Sequence, residues 1–432
     1  MKNRLNIWLK NDIVLMFWAS MAAFSTYFCM YAFRKPFTAG TFDGMTVWGV
    51  DLKIMLVASQ VLGYMVSKFI GIKVISEMSP RNRPLSIVVL IGFSWLALLV
   101  FTVVPIEWKP FCLFFNGLPL GLIWGIVFSF LEGRRLTEAL GAGLAVSFIV
   151  SSGVVKTVGK TLMINYGFSE FQMPFITGAI FFIPLLLSVW MLAQIPPPSV
   201  RDVQNRSPRQ PMTGKQRRAL FNKYSFGIVS LTAFYFVLTA FRDFRDNFIV
   251  ELWQSLGYNN PEILTTAELP IAVSVLIIVA SMVFIRDNAV AFWYNHLFIL
   301  LGGISLMLST FLFEKGFISP VGWMIAMGFG LYLAYILFQS LIFERMMATF
   351  KEVGNVGFLM YVVDAFGYLG SIMVMFYKHF SSKTFSWVAF FVQSSYLVGV
   401  ACLILVSASF VYFFQRYETQ KINHHVQDPI LN

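Results

Sequence analysis

Long apolar stretches broken by short polar turns recur along the whole chain, at a length that suits membrane crossing. A spanning helix needs about 20 mostly apolar residues. Runs of that kind fall at residues 12–34, 53–75, 85–104, 110–131, 141–163 and 174–195, and again at 225–249, 266–285, 289–312, 321–343, 354–377 and 387–414. Twelve membrane-spanning helices are therefore predicted, in two groups of six. The first run, from Ile13 to Phe33, is too long for the apolar part of a signal peptide. It ends in Arg34-Lys35 rather than in a small-residue cleavage site.

The stretch between the two sixes is polar, from Pro196 to Lys223. It opens with Pro196-Pro197-Pro198, which stops the sixth helix, and holds seven basic residues against Asp202. The predicted organisation is an N-terminal six-helix bundle (1–195), a basic linker (196–223), a C-terminal six-helix bundle (224–414) and a polar tail (415–432). The even-numbered turns also carry arginine: Arg81 and Arg83, Arg134 and Arg135, Arg286, Arg345 with Lys351. The odd-numbered turns hold only lysines (Lys53, Lys109, Lys315, Lys378, Lys383). By the positive-inside rule the linker and both termini face the cytoplasm.

Composition agrees with the pattern. Of 432 residues 58% are hydrophobic and 12% charged, about half the charge of a soluble domain. The net charge of +11 sits in turns and the linker, where it reports topology rather than nucleic-acid binding. The three cysteines (Cys29, Cys112, Cys402) lie in apolar runs without metal-ligand spacing. No P-loop, metal-ligand cluster or nucleophile–base arrangement is present, so neither ATP, a metal nor a cofactor is expected, and no enzyme.

The halves repeat each other. Tyr27-Phe28 and Ala32-Phe33-Arg34 recur as Tyr235-Phe236 and Ala240-Phe241-Arg242 at a constant offset of 208. A second echo links the stretch from Glu132 through Thr137 to Gly141 and Gly143 with that from Glu344 through Thr349 to Gly354 and Gly357. Two parallel repeats with a site between them is the plan of the major facilitator fold.

Charges inside a bilayer are expensive, at least ~2.5–3.5 kcal/mol on insertion scales, and mark pathways or partners. Arg34 shares a helical face with Tyr27 and Tyr31, either as a cavity stripe or as an interfacial anchor with Lys35. Arg242-Asp243-Phe244-Arg245-Asp246 stacks two arginines and two aspartates one turn apart, either as a binding group or as an internally neutralised helix end. Lys68 continues a polar stripe with Gln60, Tyr64 and Ser67. Lys156 shares a face with Ser152 and Lys160, the last an outer anchor. Asp364 lies alone between apolar stretches and calls for a cation partner, a proton or a cationic solute. Cations outnumber carboxylates in this set if Asp243 and Asp246 face away, and guanidinium groups fit phosphate and carboxylate oxygens in pairs. An anionic solute follows.

These residues resemble the organophosphate:phosphate antiporter family of the major facilitator superfamily, with glycerol-phosphate and hexose-phosphate transporters the nearest likeness. The resemblance is scattered over most of the chain and concentrated in four patches: Tyr27…Tyr31-Ala32-Phe33-Arg34-Lys35-Pro36-Phe37, Tyr64-Met65-Val66-Ser67-Lys68-Phe69, Gly328-Phe329-Gly330-Leu331-Tyr332 and Phe366-Gly367-Tyr368-Leu369-Gly370. It implies that Arg34 and Arg242 hold a phosphoryl group between the halves. Lys68 would assist, and Tyr27, Tyr31, Tyr64, Tyr332 and Tyr368 would line the path. The chain departs from the family at Lys73 and Glu77 after the second helix, at Ser151 or a neighbour in place of a histidine, and at Asp364. It also departs in helix 7, where Arg242 and Arg245 compete for one role.

The expected function is secondary transport of a small organic anion, an organophosphate or phosphate, across the cytoplasmic membrane by a monomeric antiporter with alternating access. Two alternatives are a transporter-like solute sensor and a proton-coupled transporter of a neutral or zwitterionic solute that uses Asp364.

Overall fold

The computed structural model describes residues 11–131, 137–197, 214–282, 284–352, 356–381 and 386–427. Twelve long helices make up the fold: α1 (Asp12–Tyr31), α2 (Leu52–Glu77), α3 (Arg83–Val103), α4 (Lys109–Leu131), α5 (Thr137–Tyr166) and α6 (Met173–Ala193) in the first half. The second half has α7 (Ser225–Asn247), α8 (Glu268–Met282), α9 (Asn288–Glu314), α10 (Pro320–Leu337), α11 (Val356–Ser381) and α12 (Trp387–Gln427). Eleven helices among the described residues are long and apolar enough to cross a membrane. The remaining long helix, α11, carries Asp364, Lys378 and His379 along its length. The chain is an all-α, multi-pass membrane protein.

Local sequence sets several boundaries. Asn11 caps α1 by accepting the main-chain N–H groups of Ile13 and Val14, Asp287 caps α9, and Ser319 caps α10 ahead of Pro320. Four details go beyond the apolar pattern. The first run is not helical to Arg34: α1 stops at Tyr31, and a 3₁₀ turn (Pro36–Ala39) and a small hairpin, β1 (Thr46–Val47) with β2 (Val50–Asp51), lead into α2. The last ten linker residues form a helix, Gly214–Lys223, while residues 198–213 lie outside the described set. A π turn (Phe338–Ile342) follows α10. The polar tail expected from residue 415 is not separate, because α12 runs unbroken to Gln427. Gly399 is its last glycine and no proline follows before Gln427, and the Gln-, Glu- and Lys-containing stretch beyond favours helix. At 1.5 Å per residue α12 is roughly 60 Å long, twice the hydrocarbon thickness. The first echo of the repeat lies among the described residues, its first copy running past the end of α1; the second falls partly on residues 132–136 and 353–355, outside them.

Glycines let helices close up where lipid offers no hydrophobic drive for association. A Cβ on Gly117 of α4 would lie 2.2 Å from the Gln60 carbonyl oxygen of α2, and one on Gly63 of α2 would lie 2.2 Å from that of Phe114. The two halves meet along α2–α11 and α5–α8, with Gly153 of α5 seated against the Leu264 carbonyl.

Gly117→Val is expected to force α2 and α4 apart and lower the melting temperature in detergent, at a cost of about 1–3 kcal/mol or more. Gly92→Ala, whose Cβ would meet nothing, is the neutral control. Equal melting of both variants would contradict the packing.

Candidate functional site

The end of α1 builds the site. After Tyr31 the chain leaves helical geometry, yet residues 31–40 are all buried. Helix ends leave carbonyls without partners, and such groups need satisfying in an apolar interior. Asn116 of α4 donates to the Phe33 carbonyl at 2.9 Å. Gln60 of α2 donates to the Arg34 carbonyl at 2.9 Å and to Asn116 Oδ1 at 2.7 Å. Asn116 also donates to the Ser94 carbonyl at 3.0 Å, and Ser94 Oγ returns a bond to the Asn116 carbonyl. Three neighbouring helices thus fix the main chain that carries Arg34 and Lys35.

Arg34 is buried, with its guanidinium 4.0 Å from the Tyr64 ring and 5.8 Å from that of Tyr31. Among the described residues no carboxylate pairs with it, and its Nε has no hydrogen-bond partner. Arg242, its counterpart in the repeat, lies 3.9 Å from the Tyr335 ring but is neutralised. Its Nε donates to Asp243 Oδ1 at 3.0 Å, and its Nη2 bonds to the same oxygen. Asp243 Oδ2 accepts Ser371 Oγ of α11 at 2.7 Å. The pseudo-symmetry therefore holds for the arginines; each covers a tyrosine, but Tyr64 comes from α2 and Tyr335 from α10, which are not repeat partners, and the charge on the two sides differs.

Between them lies a cavity of about 20 Å³ lined by Tyr31, Arg34, Lys35, Phe148, Arg242, Asp243, Asp246 and Tyr332, room for one water. Asp246 forms its wall toward the end of the protein opposite the linker. It takes Lys35 at 2.5 Å and Lys156 at 2.7 Å, and accepts Ser152 Oγ. Lys35 also donates to Asn247 Oδ1 at 2.7 Å. Further toward that end Lys53 pairs with Glu251 and donates to the Thr38 carbonyl at 2.9 Å. Toward the linker end, Lys68 sits 3.7 Å from Asp364, which accepts Tyr235 OH at 2.8 Å. The Tyr64 and Tyr368 rings meet across the halves at 5.4 Å. Contacts between the halves therefore flank the cavity on both sides.

Arg34, Arg242, Tyr31 and Tyr332, singled out from the sequence, thus come together in one chamber. Tyr64, Tyr368, Lys68 and Asp364 form the layer next to it, and Tyr27 packs on Tyr31 at 5.6 Å. Lys156 reaches the chamber through Asp246. Arg245 does not line it: fully buried, it pairs with Glu268 of α8 at 2.7 Å and lies against the Met324 carbonyl of α10 at 3.4 Å. Asp243 and Asp246 do not face away, and the lining stays cationic because Lys35 joins Arg34 and Arg242 in it. Ser151 bonds back to its own helix at Ser147. The side chains of Lys73 and Glu77 lie outside the described residues. Sequence reasoning missed Lys53 with Glu251, and it missed the Tyr235–Tyr335 pair (hydroxyls 3.2 Å apart), although Tyr235 is the repeat copy of Tyr27. A larger groove lined by Ile277, Ile325 and Phe329 is apolar and open, with no charged group in its wall.

Twelve spanning helices in two related halves around a central polar chamber define a major facilitator fold. The chain belongs to a family described as a family of unknown function (DUF5690), whose model matches residues 36–416. No curated protein matches it by sequence. Among solved structures it is similar to a D-xylose-proton symporter (TM-score 0.59, 14% identity, 90% of this chain and 96% of that one). It is also similar to the nucleoside transporter NupG in a mutant form (TM-score 0.59, 16% identity, 92% of this chain and 100% of that one). At these identities the likeness concerns the fold.

Asp246→Ala leaves Lys35 and Lys156 buried together without their carboxylate and is expected to destabilise the protein by about 3–5 kcal/mol. Replacing both lysines by Met in the same background should recover most of that loss. Thermal unfolding in detergent checks both, and an Asp246→Ala protein as stable as the wild type would remove Asp246 from its bridging role.

Proposed function

We propose that this protein is a secondary transporter that carries a small organic anion through the chamber by alternating access, exchanging an organophosphate for phosphate. The observation that carries this reading is Arg34, a buried guanidinium stacked on Tyr64 with no carboxylate paired to it among the described residues. Leaving such a charge unpaired is costly, and an anion entering between Arg34 and Arg242 relieves it. Phosphoryl and carboxylate groups suit two guanidinium forks held by tyrosine faces. In the lining three cations face two carboxylates, and Lys156 behind Asp246 adds a fourth.

Closure at both ends of a one-water cavity describes a state between the two open ones. To admit solute from the far end, Asp246 and Glu251 would part from Lys35, Lys156 and Lys53. To admit it from the linker end, Asp364 would part from Lys68, and Tyr64 from Tyr368. The likeness in fold to transporters supports transport as the class, while the preference for an anion rests on Arg34 and on the cation excess. Arginine gathers in turns at the linker end and lysine alone at the other, which supports a cytoplasmic linker and cytoplasmic termini in the cell membrane.

Proteoliposomes loaded with phosphate test this. Wild-type protein is expected to exchange labelled phosphate with the medium, and Arg34→Ala and Arg242→Ala to reduce exchange by about 30-fold or more, the effect of truncating one partner of a buried charged contact. Arg34→Lys recovers little, because an ammonium lacks the planar fork. Arg245→Ala lowers stability while leaving the apparent phosphate affinity of the folded fraction unchanged. Folded wild-type protein that exchanges no phosphate sinks the organophosphate reading.

A further inference from the structure

We infer that Asp243 is a built-in counter-ion that a bound anion must displace from Arg242, so that each anion enters the chamber together with one proton taken up by Asp243. This rests on the anion reading above and adds a coupling residue to it.

The starting point is the asymmetry of the repeat. Arg34 and Arg242 occupy equivalent positions and stack on tyrosine at nearly the same distance, 4.0 and 3.9 Å. Only Arg242 holds a carboxylate, supplied by the next residue in the chain. That carboxylate lines the chamber and uses one oxygen for both guanidinium nitrogens. Its other oxygen takes the Ser371 hydroxyl. An anion that reaches Arg242 competes for the same nitrogens. Two negative groups cannot share one guanidinium in a desolvated chamber without strong repulsion.

The surroundings decide what the displaced carboxylate does. On α7 it has Asp246 one turn away, a like charge. From α1 and the turn after it Tyr31, Arg34 and Lys35 line the same chamber, while Lys156 of α5 is held on Asp246. From α10 Tyr332 lines the chamber and Tyr335 lies under Arg242; from α11 Ser371 touches it, with Asp364 and Tyr368 in the next layer on Tyr235 and Tyr64. α12 meets α7 through the apolar rings of Trp387, Phe390 and Phe391. The nearby cations are engaged: Lys35 and Lys156 are held by Asp246, Lys68 stands by Asp364, and Arg34 joins Arg242 on the anion. Without a cation, a buried carboxylate is favoured in its neutral form. One proton from the open side binds a carboxylate oxygen of Asp243 as the anion takes Arg242. When the anion leaves on the other side, Asp243 returns to Arg242 and releases that proton there. The cycle thus moves one proton with each anion, and Ser371, able to accept as well as donate, serves Asp243 in both states.

The test is phosphate binding to the purified full chain from about pH 6 to about pH 8, wild type against Asp243→Asn. The ionisation of phosphate itself affects both proteins alike, so the difference between the profiles isolates Asp243. The wild type is expected to lose about tenfold more affinity per pH unit than the variant as pH rises, one linked proton. The variant binds more tightly at the alkaline end, where its Arg242 is no longer masked. Ser371→Ala keeps every charge and serves if Asp243→Asn folds poorly: it loosens the carboxylate, so phosphate binds a few-fold tighter at about pH 8 with the wild-type pH slope. Parallel profiles for wild type and Asp243→Asn, or weaker binding by the Asn variant at every pH, overturn the inference while leaving Arg34-dependent anion binding intact. A Ser371→Ala protein that binds phosphate no better than wild type at about pH 8 also counts against it. Wild-type protein that binds no phosphate at any pH overturns the anion reading and this inference with it.

Discussion

Asn116 and Gln60 take up main-chain carbonyls that the end of α1 would otherwise leave bare inside the protein. Much of the site follows from that constraint. A helix continued through Arg34 would satisfy those carbonyls by itself and would project the arginine from a regular helical face. Ending at Tyr31 frees the chain to turn while still buried, and the two amides fix the turn against α2 and α4. Those helices can be so close only because Gly63 and Gly117 have no side chains. The placement of Arg34 over Tyr64 therefore depends on a packing contact one layer behind it. At the end of α7, Asn247 does the corresponding work, donating to the Asp243 carbonyl at 2.8 Å and accepting Lys35 from the other half.

The parts of this molecule legible in the sequence were those carried by short-range pattern. Apolar run length located each long helix, with the far ends of α10 and α12 missed by six and thirteen residues, and the 208-residue offset pairs Arg34 with Arg242. What the pattern did not resolve were pairings between distant positions. Arg242 and Arg245 are one turn apart and equally basic. They separate only because Glu268, on the next long helix, lies within reach of Arg245. Lys53 and Glu251 are 198 positions apart in the chain, each next to a helix end and easily taken for a solvated turn residue. The break in α1 was hidden for another reason: Ala32-Phe33 continues the apolar run, and apolar length does not distinguish a helix from a buried turn whose carbonyls are capped from elsewhere.

Across the interface between the halves the charges are sorted. Every ion pair between halves among the described residues takes its lysine from the first half and its carboxylate from the second: Lys35 and Lys156 with Asp246, Lys53 with Glu251, Lys68 with Asp364. Arginine takes no part in these contacts; Arg242 and Arg245 pair within the second half, and Arg34 pairs with no carboxylate. The division suits the chemistry. Lysine is a point charge on a flexible stem and can release and re-form a pair as surfaces move, whereas the planar guanidinium holds a fixed geometry and favours a planar, two-oxygen partner.

That sorting also limits which motions are open to the halves. Neither surface is neutral by itself, so wholesale separation would strip several buried ions of partners at once, at several kcal/mol each. Rocking, by contrast, would expose one end at a time and let water enter there while the pairs at the other end stay closed. The far end holds three of the four lysine contacts and the linker end the longest of them, at 3.7 Å, so the two closures are unequal. An anion held as proposed between Arg34 and Arg242 would touch both surfaces in the layer between those closures. It would replace part of the attraction lost when either set opens, and binding at the centre would then be physically linked to movement at the ends.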